Sequence, residues 1–303
     1  MNTRTILVAI CSVLISAATA TAGERKADFG LDVETGYYHD SNVGIVDIDS
    51  ISGSADSAVK IGAGVDASLP FGQHATLRLG YDYDSTSYQT LDTFDLGLHH
   101  AMAELGFNRF GFDSALTADR FVASLDGDEY LTLTQLSPSV SKLFGNRVYA
   151  RLAYTSATKD YATLTTRNAD SESLRADVYW LLDGMDRYVA VGLQSSAEDA
   201  LDDELDYDGL RTMLTLGQTL DVSSMTLKLK GELRYESRDY LNVTGSIGEA
   251  RRDERLRAAV IAAVPLGEHF EVRAEVEHTQ NESNLDSATL DRMAYGLTLS
   301  ASF

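Results

Sequence analysis

The alternation of apolar and polar residues with a period of two is the feature of this sequence that most limits its fold. In segment 270–277 the even positions are apolar, and the odd positions are the charged residues Glu271, Arg273, Glu275 and Glu277. Successive side chains of a strand point to opposite faces, so such a segment is a ribbon with one apolar and one polar face. We predict about 14 strands, over segments 27–39, 56–69, 74–87, 93–106, 111–124, 130–143, 147–160, 172–183, 186–196, 207–219, 223–237, 254–265, 269–279 and 289–303.

The connections between these segments alternate in length. Short turns are predicted at 69–74, 107–111, 144–147, 182–187, 220–224 and 266–269. Longer polar loops are predicted at 39–56, 84–93, 158–172, 196–207, 237–254 and 279–289, and only the loop near 125–130 is short for its class. Bacterial outer-membrane barrels have short periplasmic turns, longer outer loops and both chain ends in the periplasm. The sequence therefore predicts an all-β fold, a transmembrane antiparallel up-and-down β-barrel in the bacterial outer membrane.

The first residues are typical of a secretory signal peptide. Arg4 precedes a short apolar run, and Ala20-Thr21-Ala22 is a small-x-small cleavage site. We predict a signal peptide over 1–22 and the barrel over 23–303. Cys11 is the only cysteine, so the mature chain would contain no disulfide and no thiolate ligand.

The last strand carries the predicted assembly signal. One face of this strand presents Tyr295, Leu297, Leu299 and Phe303. A final aromatic residue on an alternating strand resembles the terminal signal that the barrel-assembly machinery reads. The predicted partners are therefore this machinery and the lipid and lipopolysaccharide of the outer membrane.

A barrel that faces lipid with its apolar side must direct its charged side inward. On the lipid side each charge would cost about 2–4 kcal/mol near the bilayer midplane. We predict a mainly structural and solvating lumen lining made of Lys60, Asp66, Arg78, Asp82, Arg151, Lys228, Lys230, Glu232, Arg234, Arg257, Glu271, Arg273, Glu275 and Glu277. About 14 strands leave a lumen between the filled interior of eight and the aqueous channel of 16–18, and no segment predicts a helical plug.

The charge balance narrows the function classes. The formal net charge is −21, which disfavours nucleic-acid binding because that needs a basic face. The acidic excess favours cations over anions as solutes. The densest acidic run, 198–208, predicts mainly a solvated outer loop. A metal site at Asp202, Asp203, Glu204 and Asp206 is a weaker alternative, since hard cations take several oxygens.

Catalytic motifs are absent from the sequence. The six histidines occur in no HExxH pattern and beside no GxSxG turn, and there is no P-loop, GxGxxG or zinc-type spacing. We predict no enzyme, no catalytic residue and no cofactor.

Two short motifs resemble those of a known barrel group. Residues 37–43 read Tyr-Tyr-His-Asp-Ser-Asn-Val, and residues 281–284 read Asn-Glu-Ser-Asn. They resemble the opening and closing segments of the barrel domains of surface lipoprotein assembly modifiers and related secretion barrels. The resemblance implies a 14-strand barrel and an export role. The family's substrate-recruiting repeat domain has no counterpart here, so a separate periplasmic partner is implied.

Three functions remain open from the sequence. The first is a porin-like pore for small cationic or polar solutes, and in size the chain is similar to monomeric 14-strand porins. The second is the barrel component of a lipoprotein or polysaccharide export system. The third is a non-conducting structural or adhesive barrel.

Overall fold

The computed structural model describes residues 27–223 and 225–303, and within them fourteen antiparallel strands form one closed barrel. The predicted fold class and strand count are confirmed. The strands are β1 (Asp28–Asp40), β2 (Asp56–Phe71), β3 (Ala75–Tyr88), β4 (Leu96–Arg109), β5 (Phe112–Leu125), β6 (Asp128–Phe144), β7 (Val148–Tyr161), β8 (Ala169–Asp183), β9 (Arg187–Ala200), β10 (Tyr207–Val222), β11 (Met225–Thr244), β12 (Glu249–Leu266), β13 (Phe270–Ser283) and β14 (Leu290–Ser302).

The seam between the first and last strands closes the sheet. β1 pairs with β14 from Asp32 opposite Ser302 to Asp40 opposite Ala294. Beyond this register, the Leu31 amide donates to the Phe303 carbonyl at 3.1 Å, and the Phe303 amide donates to the Leu31 carbonyl at 2.9 Å. A closed sheet has no row of unpaired backbone groups, which is the condition for strands to cross hydrocarbon.

The outer surface of the barrel is apolar. Val65, Leu193, Val276 and Leu297 are each more than half exposed, although such side chains are normally buried in a water-soluble protein. Aromatic side chains lie on the same surface, at Tyr37, Tyr81, Tyr83, Tyr154, Trp180, Tyr235 and Tyr295. This exterior is the one that a bilayer solvates, with rings suited to the headgroup level.

In residues 27–223 and 225–303 there is no helix with the length and hydropathy to cross a membrane.

One end of the barrel has tight connections. The turns 72–74, 110–111, 145–147, 184–186 and 267–269 join consecutive strands there, and glycines such as Gly111 (φ 73°) and Gly267 (φ 77°) adopt the left-handed conformation that they require. β1 begins and β14 ends at this end, so by the rule for bacterial barrels it is the periplasmic end.

Most connections at the other end are shorter than predicted. The loops predicted at 196–207 and 237–254 are wrong in extent, because they shrink to 201–206 and 245–248 as β9, β11 and β12 extend outward. The alternation fails there since Arg252, Asp253 and Glu254 are consecutive charged residues within a strand. Beyond the bilayer both faces of a strand can be polar, so the period no longer marks the strand.

Single-turn 3-10 helices make these outer loops compact. They occur at Val46–Ile48, Asp92–Phe94, Thr165–Arg167, Asp203–Leu205 and Asp286–Ala288. After three of the turns, a side-chain oxygen accepts a hydrogen bond from a backbone amide near the end of the preceding strand: Asp95 from Tyr88, Asn168 from Tyr161 and Asp206 from Ala200, each at 2.7 Å. The loops therefore satisfy backbone donors that the sheet leaves unpaired.

Two glycines offer a matched test of inward packing. A Cβ atom at Gly217 would overlap the inward-facing Tyr188 ring, whereas a Cβ atom at Gly231 would meet no atom within 4 Å. We expect Gly217→Val to destabilise the barrel by about 1–3 kcal/mol, because the ring has to move.

The measurement is the temperature at which the folded band disappears on a detergent gel of unboiled protein. Gly231→Val is the control and should melt like the wild type. Equal melting of both variants would contradict the close contact at Gly217.

Candidate functional site: a lumen crossed by the first outer loop

The first outer loop, residues 41–55, folds into the barrel as a unit. The Val43 amide donates to the Ser54 carbonyl at 3.0 Å, and the Ser52 amide donates to the Val43 carbonyl at 2.9 Å. Between them Gly44–Ile45 pairs with Ser50–Ile51. These bonds stay within the loop and define a short hairpin.

An isoleucine anchors one side of the loop to the wall. Ile48 packs against a buried apolar cluster on the inner faces of β4 to β7, formed by Leu98, Ala123, Tyr130, Leu131 and Tyr161. Leu98, Ala123, Leu131 and Tyr161 share the inward parity, since they lie opposite one another on successive strands. Tyr130 is the extra residue at a register shift in β6. Ile48 is partly buried, and full burial of a side chain of this size contributes about 2 kcal/mol.

Two aspartates anchor the other side of the loop to arginines. Asp49 accepts hydrogen bonds from Arg251 at 2.7 and 3.0 Å and from Arg167 at 2.7 Å. Asp47 lies 3.1 Å from Arg238 and 3.6 Å from Arg255. We call Arg167, Arg238, Arg251 and Arg255 the arginine cluster.

The loop crosses the lumen. Ile48 packs on β4 to β7, whereas three of the four arginines lie on β11 and β12. In a ring of fourteen strands these groups of strands are on opposite sides. The outer mouth is therefore spanned by a loop that is held at both walls, although no helical plug is present in the described residues.

The wall holds Arg238 and Arg251 of the arginine cluster in position independently of the loop. Arg238 donates to Glu236 at 2.8 Å, and Arg251 donates to Asp253 at 2.8 and 2.9 Å. The guanidinium carbons lie 4.9 Å from the Tyr207 ring centroid for Arg238 and 4.8 Å from the Tyr240 ring centroid for Arg251. Stacking on an aromatic face and bidentate pairing both fix a guanidinium plane.

The arginines determine the protonation of the loop aspartates. Burial raises the pKa of Asp47, but the charges of Arg238 and Arg255 outweigh it and hold this pKa well below its usual range. Burial also raises the pKa of Asp49, and hydrogen bonds and charge from Arg251 and Arg167 bring it below the usual value. Both carboxylates are ionised at neutral pH.

The fourteen residues predicted to line the lumen all have the inward parity of the register. Many of them are ion-paired with each other or with neighbours: Arg78 with Glu104, Arg257 with Glu277, Lys228 with Glu271 at 3.0 Å, Lys230 with Glu232 at 2.6 Å, and Arg273 with Glu271 at 3.7 Å. The other members are Lys60, Asp66, Asp82, Arg151, Arg234 and Glu275. Lys60 lies 4.3 Å from the Tyr38 ring centroid, and Asp82 lies 3.4 Å from His100.

The inner wall is more filled towards the outer mouth than towards the periplasm. Arg251 and Asp253, near the outer end of β12, are each 4% exposed, whereas Lys228, near the periplasmic end of β11, is about half exposed. The exposed inward positions include a group of carboxylates on β1 to β3, which we call the acidic patch: Asp32, Glu34, Asp66 and Asp82. Two basic groups border the patch: His100 lies 3.4 Å from Asp82, and Arg273 lies 4.0 Å from Glu34.

Comparison with solved structures identifies the fold. The anion-selective porin from Comamonas acidovorans matches with a TM-score of 0.54 at 8% identity, over 92% of this chain and 99% of that chain. The L8 deletion mutant of OmpT, an outer membrane protein of Vibrio cholerae, matches with a TM-score of 0.56 at 9% identity, over 92% and 99% of the two chains. The chain has the fold of bacterial outer-membrane porins.

This fold, together with the apolar exterior, places the barrel in the bacterial outer membrane, as predicted, with lipid and lipopolysaccharide as its surroundings. No protein-family model and no curated protein matches the sequence.

The two resemblance motifs have local structural roles in this barrel. Asp40 pairs with Arg292 at 3.1 Å, and the Ser41 amide donates to the Met293 carbonyl at 2.9 Å, so the first motif fixes the outer end of the seam. In the second motif, Asn281 donates to the Ala288 carbonyl at 2.6 Å, and Asn284 accepts from the Arg252 amide at 2.8 Å. These contacts shape the last outer loop.

The acidic run near Asp202 uses its carboxylates for backbone amides. Asp202 accepts from the Glu204 amide at 3.2 Å, Glu204 from the Gly245 amide at 3.0 Å, and Asp206 from the Ala200 amide at 2.7 Å. Asp203 begins the 3-10 turn. In residues 27–223 and 225–303 no group of three or more carboxylates, histidines or cysteines has the geometry to hold a metal ion.

The predicted assembly signal is at the periplasmic end of the seam. Tyr295, Leu297 and Leu299 are exposed on the outer surface of β14, and the Phe303 ring stacks on His269 with centroids 5.1 Å apart. The predicted signal peptide, 1–22, lies outside the described residues.

The lowered aspartate pKa values predict an acid-stable loop. A depressed folded-state pKa contributes stability that is complete above the ordinary value of 3.8 and is lost only as the pH falls through the lowered value. A spin label on Ala55→Cys, at an exposed loop position, should stay immobile from pH 8 to about pH 4 and become mobile only below it.

The Asp47→Asn/Asp49→Asn variant with the same label is the control, and its label should be mobile at every pH. Release of the wild-type label between pH 7 and pH 5 would contradict this assignment.

Proposed function

We propose that the protein is an outer-membrane pore for porin-like passage of small polar or cationic solutes, and that loop 41–55 controls its outer mouth. The observation that carries the proposal is that the loop crosses the lumen but is held there by side chains. No strand of the barrel wall pairs with its short hairpin among the described residues. A loop held in this way can leave without disrupting the sheet.

The character of the inner wall supports passage of polar solutes. The inward residues are charged along the length of the lumen, and some of them, such as Asp82 and Lys228, are about half exposed to solvent. A lining of this kind hydrates a solute that is crossing the barrel. The fold is shared with a structure that is described as an anion-selective porin.

The charge distribution of this chain supports a preference for cations, whereas the Comamonas acidovorans porin is described as anion-selective. The chain has a formal net charge of −21, and the acidic patch lies on the exposed part of the inner wall. Carboxylates that line a pore lower the electrostatic barrier for cations and raise it for anions.

Release of the loop should open the pore. We expect Asp49→Asn and Ile48→Ala each to raise the open fraction in planar bilayers at least about tenfold, because each removes one anchor that contributes more than about 1.4 kcal/mol. The measurement is single-channel conductance of the purified protein.

Asp92→Asn is the matched control, since Asp92 is an exposed aspartate in the 3-10 turn of the next outer loop and contacts the Thr93 amide rather than an arginine. It should conduct like the wild type. A membrane that stays sealed at all voltages with both anchor variants would contradict the pore function.

The acidic patch should set the selectivity. In the Asp49→Asn background, we expect Asp66→Asn/Asp82→Asn to lower the cation-to-anion permeability ratio by about twofold or more, because two exposed carboxylates lose their charge. The readout is the reversal potential in a salt gradient.

Asp239→Asn is the control, because this residue is 70% exposed and has the outward parity. It should leave the reversal potential unchanged. An equal shift in both variants would show that the net charge, and not the patch, sets the selectivity.

Two alternatives remain as predictions. An export barrel that works with a periplasmic partner rests on the resemblance of residues 37–43 and 281–284. It would be favoured by gene neighbours that encode a repeat protein, a lipoprotein or a polysaccharide enzyme. A non-conducting adhesive barrel would bind cells without conductance. The role of the barrel-assembly machinery, and of Phe303 as its signal, is likewise a proposal.

A further inference from the structure

We propose that the arginine cluster is a binding site for small solutes with two carboxylates, and that Asp47 and Asp49 are internal ligands which such a solute displaces. The inference rests on the proposed pore function, since displacement would release loop 41–55 from the lumen. It names a ligand class that the acidic excess of the chain does not predict.

The contacts of the loop aspartates are those of a bound carboxylate ligand. Arg251 donates through both terminal nitrogens to the two oxygens of Asp49, at 2.7 and 3.0 Å, which is a bidentate fork. Arg167 adds a third bond to the same carboxylate at 2.7 Å. Asp47 is held by a second pair, Arg238 and Arg255. The planar guanidinium matches a carboxylate better than it matches a spherical anion.

The charge of the cluster requires a doubly charged replacement. The four arginines face Glu236 and Asp253 on the wall and Asp47 and Asp49 on the loop. Glu236 is shared with a further arginine, Arg211, at 2.8 Å. When the loop leaves, two negative charges leave with it, and the arginines outnumber the remaining carboxylates. Removing one partner of a buried pair is strongly unfavourable. A dicarboxylate returns both of the lost negative charges, whereas a monocarboxylate returns one and a cation returns none.

Three of the four arginines keep their wall partners when the loop is absent. Arg238 and Arg251 are held by Glu236, Asp253 and two tyrosine rings, and Arg255 donates to Asn281 at 3.1 Å. All of these partners belong to the barrel wall. A preorganised site binds without an ordering cost, so an external ligand can use the same geometry that now holds the loop.

The loop is suited to leave as one body. Its internal bonds join Val43 to Ser52 and Ser54, and its hairpin pairs only with itself. Apart from the arginine contacts, Ile48 packs on the wall of β4 to β7, and the Asn42 side chain donates to the Asp291 carbonyl at 3.2 Å. Release of the loop also exposes Val43 and Ile45, which are buried.

The decisive experiment measures succinate binding by calorimetry, with the mature protein in detergent at fixed ionic strength. Because the internal ligands compete with succinate, Asp47→Asn/Asp49→Asn should bind it at least about tenfold more tightly than the wild type. Arg251→Gln should lose binding in either background. Arg252→Gln is the matched control, since Arg252 is 78% exposed and pairs weakly with Asp239 at 3.6 Å, and it should bind like its parent.

The loop itself supplies a second readout. A spin label on Ala55→Cys in the otherwise unchanged protein should become mobile with succinate and stay immobile with acetate at the same ionic strength. A purely structural role for the aspartates predicts no ligand-dependent change. This measurement also keeps the inference testable if Arg251→Gln fails to fold.

Three outcomes would overturn the inference: equal affinity of the wild type and the double asparagine variant for succinate, equal effects of acetate and succinate on the label, or displacement of the label only by an acidic peptide.

Failure of the dicarboxylate site is distinguishable from failure of the pore function. Conductance of the Asp49→Asn variant without succinate binding contradicts this site alone, and succinate binding without conductance in any variant contradicts the pore alone.

Discussion

Closure of the sheet is the constraint on which the rest of this structure depends. Inside hydrocarbon no water is present to bond a free amide or carbonyl, so a strand can cross only when both of its edges are paired. Here every strand pairs with two neighbours, and at the seam Leu31 and Phe303 exchange two backbone bonds and Asp40 pairs with Arg292. Because the backbone groups are paired, the side chains can adopt the reverse of the arrangement in soluble proteins. Apolar residues lie outside and charged residues lie inside.

Because charged residues lie inside, the interior is packed mainly through pairs of opposite charges. The inner wall replaces an apolar core with ladders of opposite charges, such as Arg257 with Glu277. Buried pairs of this kind contribute little net stability, but each is costly to break singly. A loop that brings two carboxylates to a wall with surplus arginines is therefore held firmly and yet remains exchangeable. The proposed control of the outer mouth therefore depends on the same kind of charge pairing that stabilises the inner wall.

The sequence predicted the fold well where the bilayer imposes a pattern, and less well elsewhere. Strands such as β13 were recognisable because Glu271, Arg273, Glu275 and Glu277 alternate with apolar residues. The outer extension of β12 was not, since Arg251 to Arg255 are all charged. The inward folding of loop 41–55 depends on contacts between residues about 200 positions apart, as for Asp49 and Arg251. The sequence signal that could have predicted this inward folding is Asp47-Ile48-Asp49, in which an isoleucine lies between two aspartates in a polar loop.

The compact outer turns determine what a cell that carries this protein displays to its surroundings. Loops 89–95, 162–168 and 201–206 are each little more than one 3-10 turn, tied to the preceding strand by Asp95, Asn168 and Asp206. Proteolytic nicking concentrates at projecting, mobile loop tips, and this rim offers few of them. An antibody against the intact surface would have to recognise a shallow patch assembled from several turns. Such an epitope is discontinuous, and it disappears when the barrel is denatured.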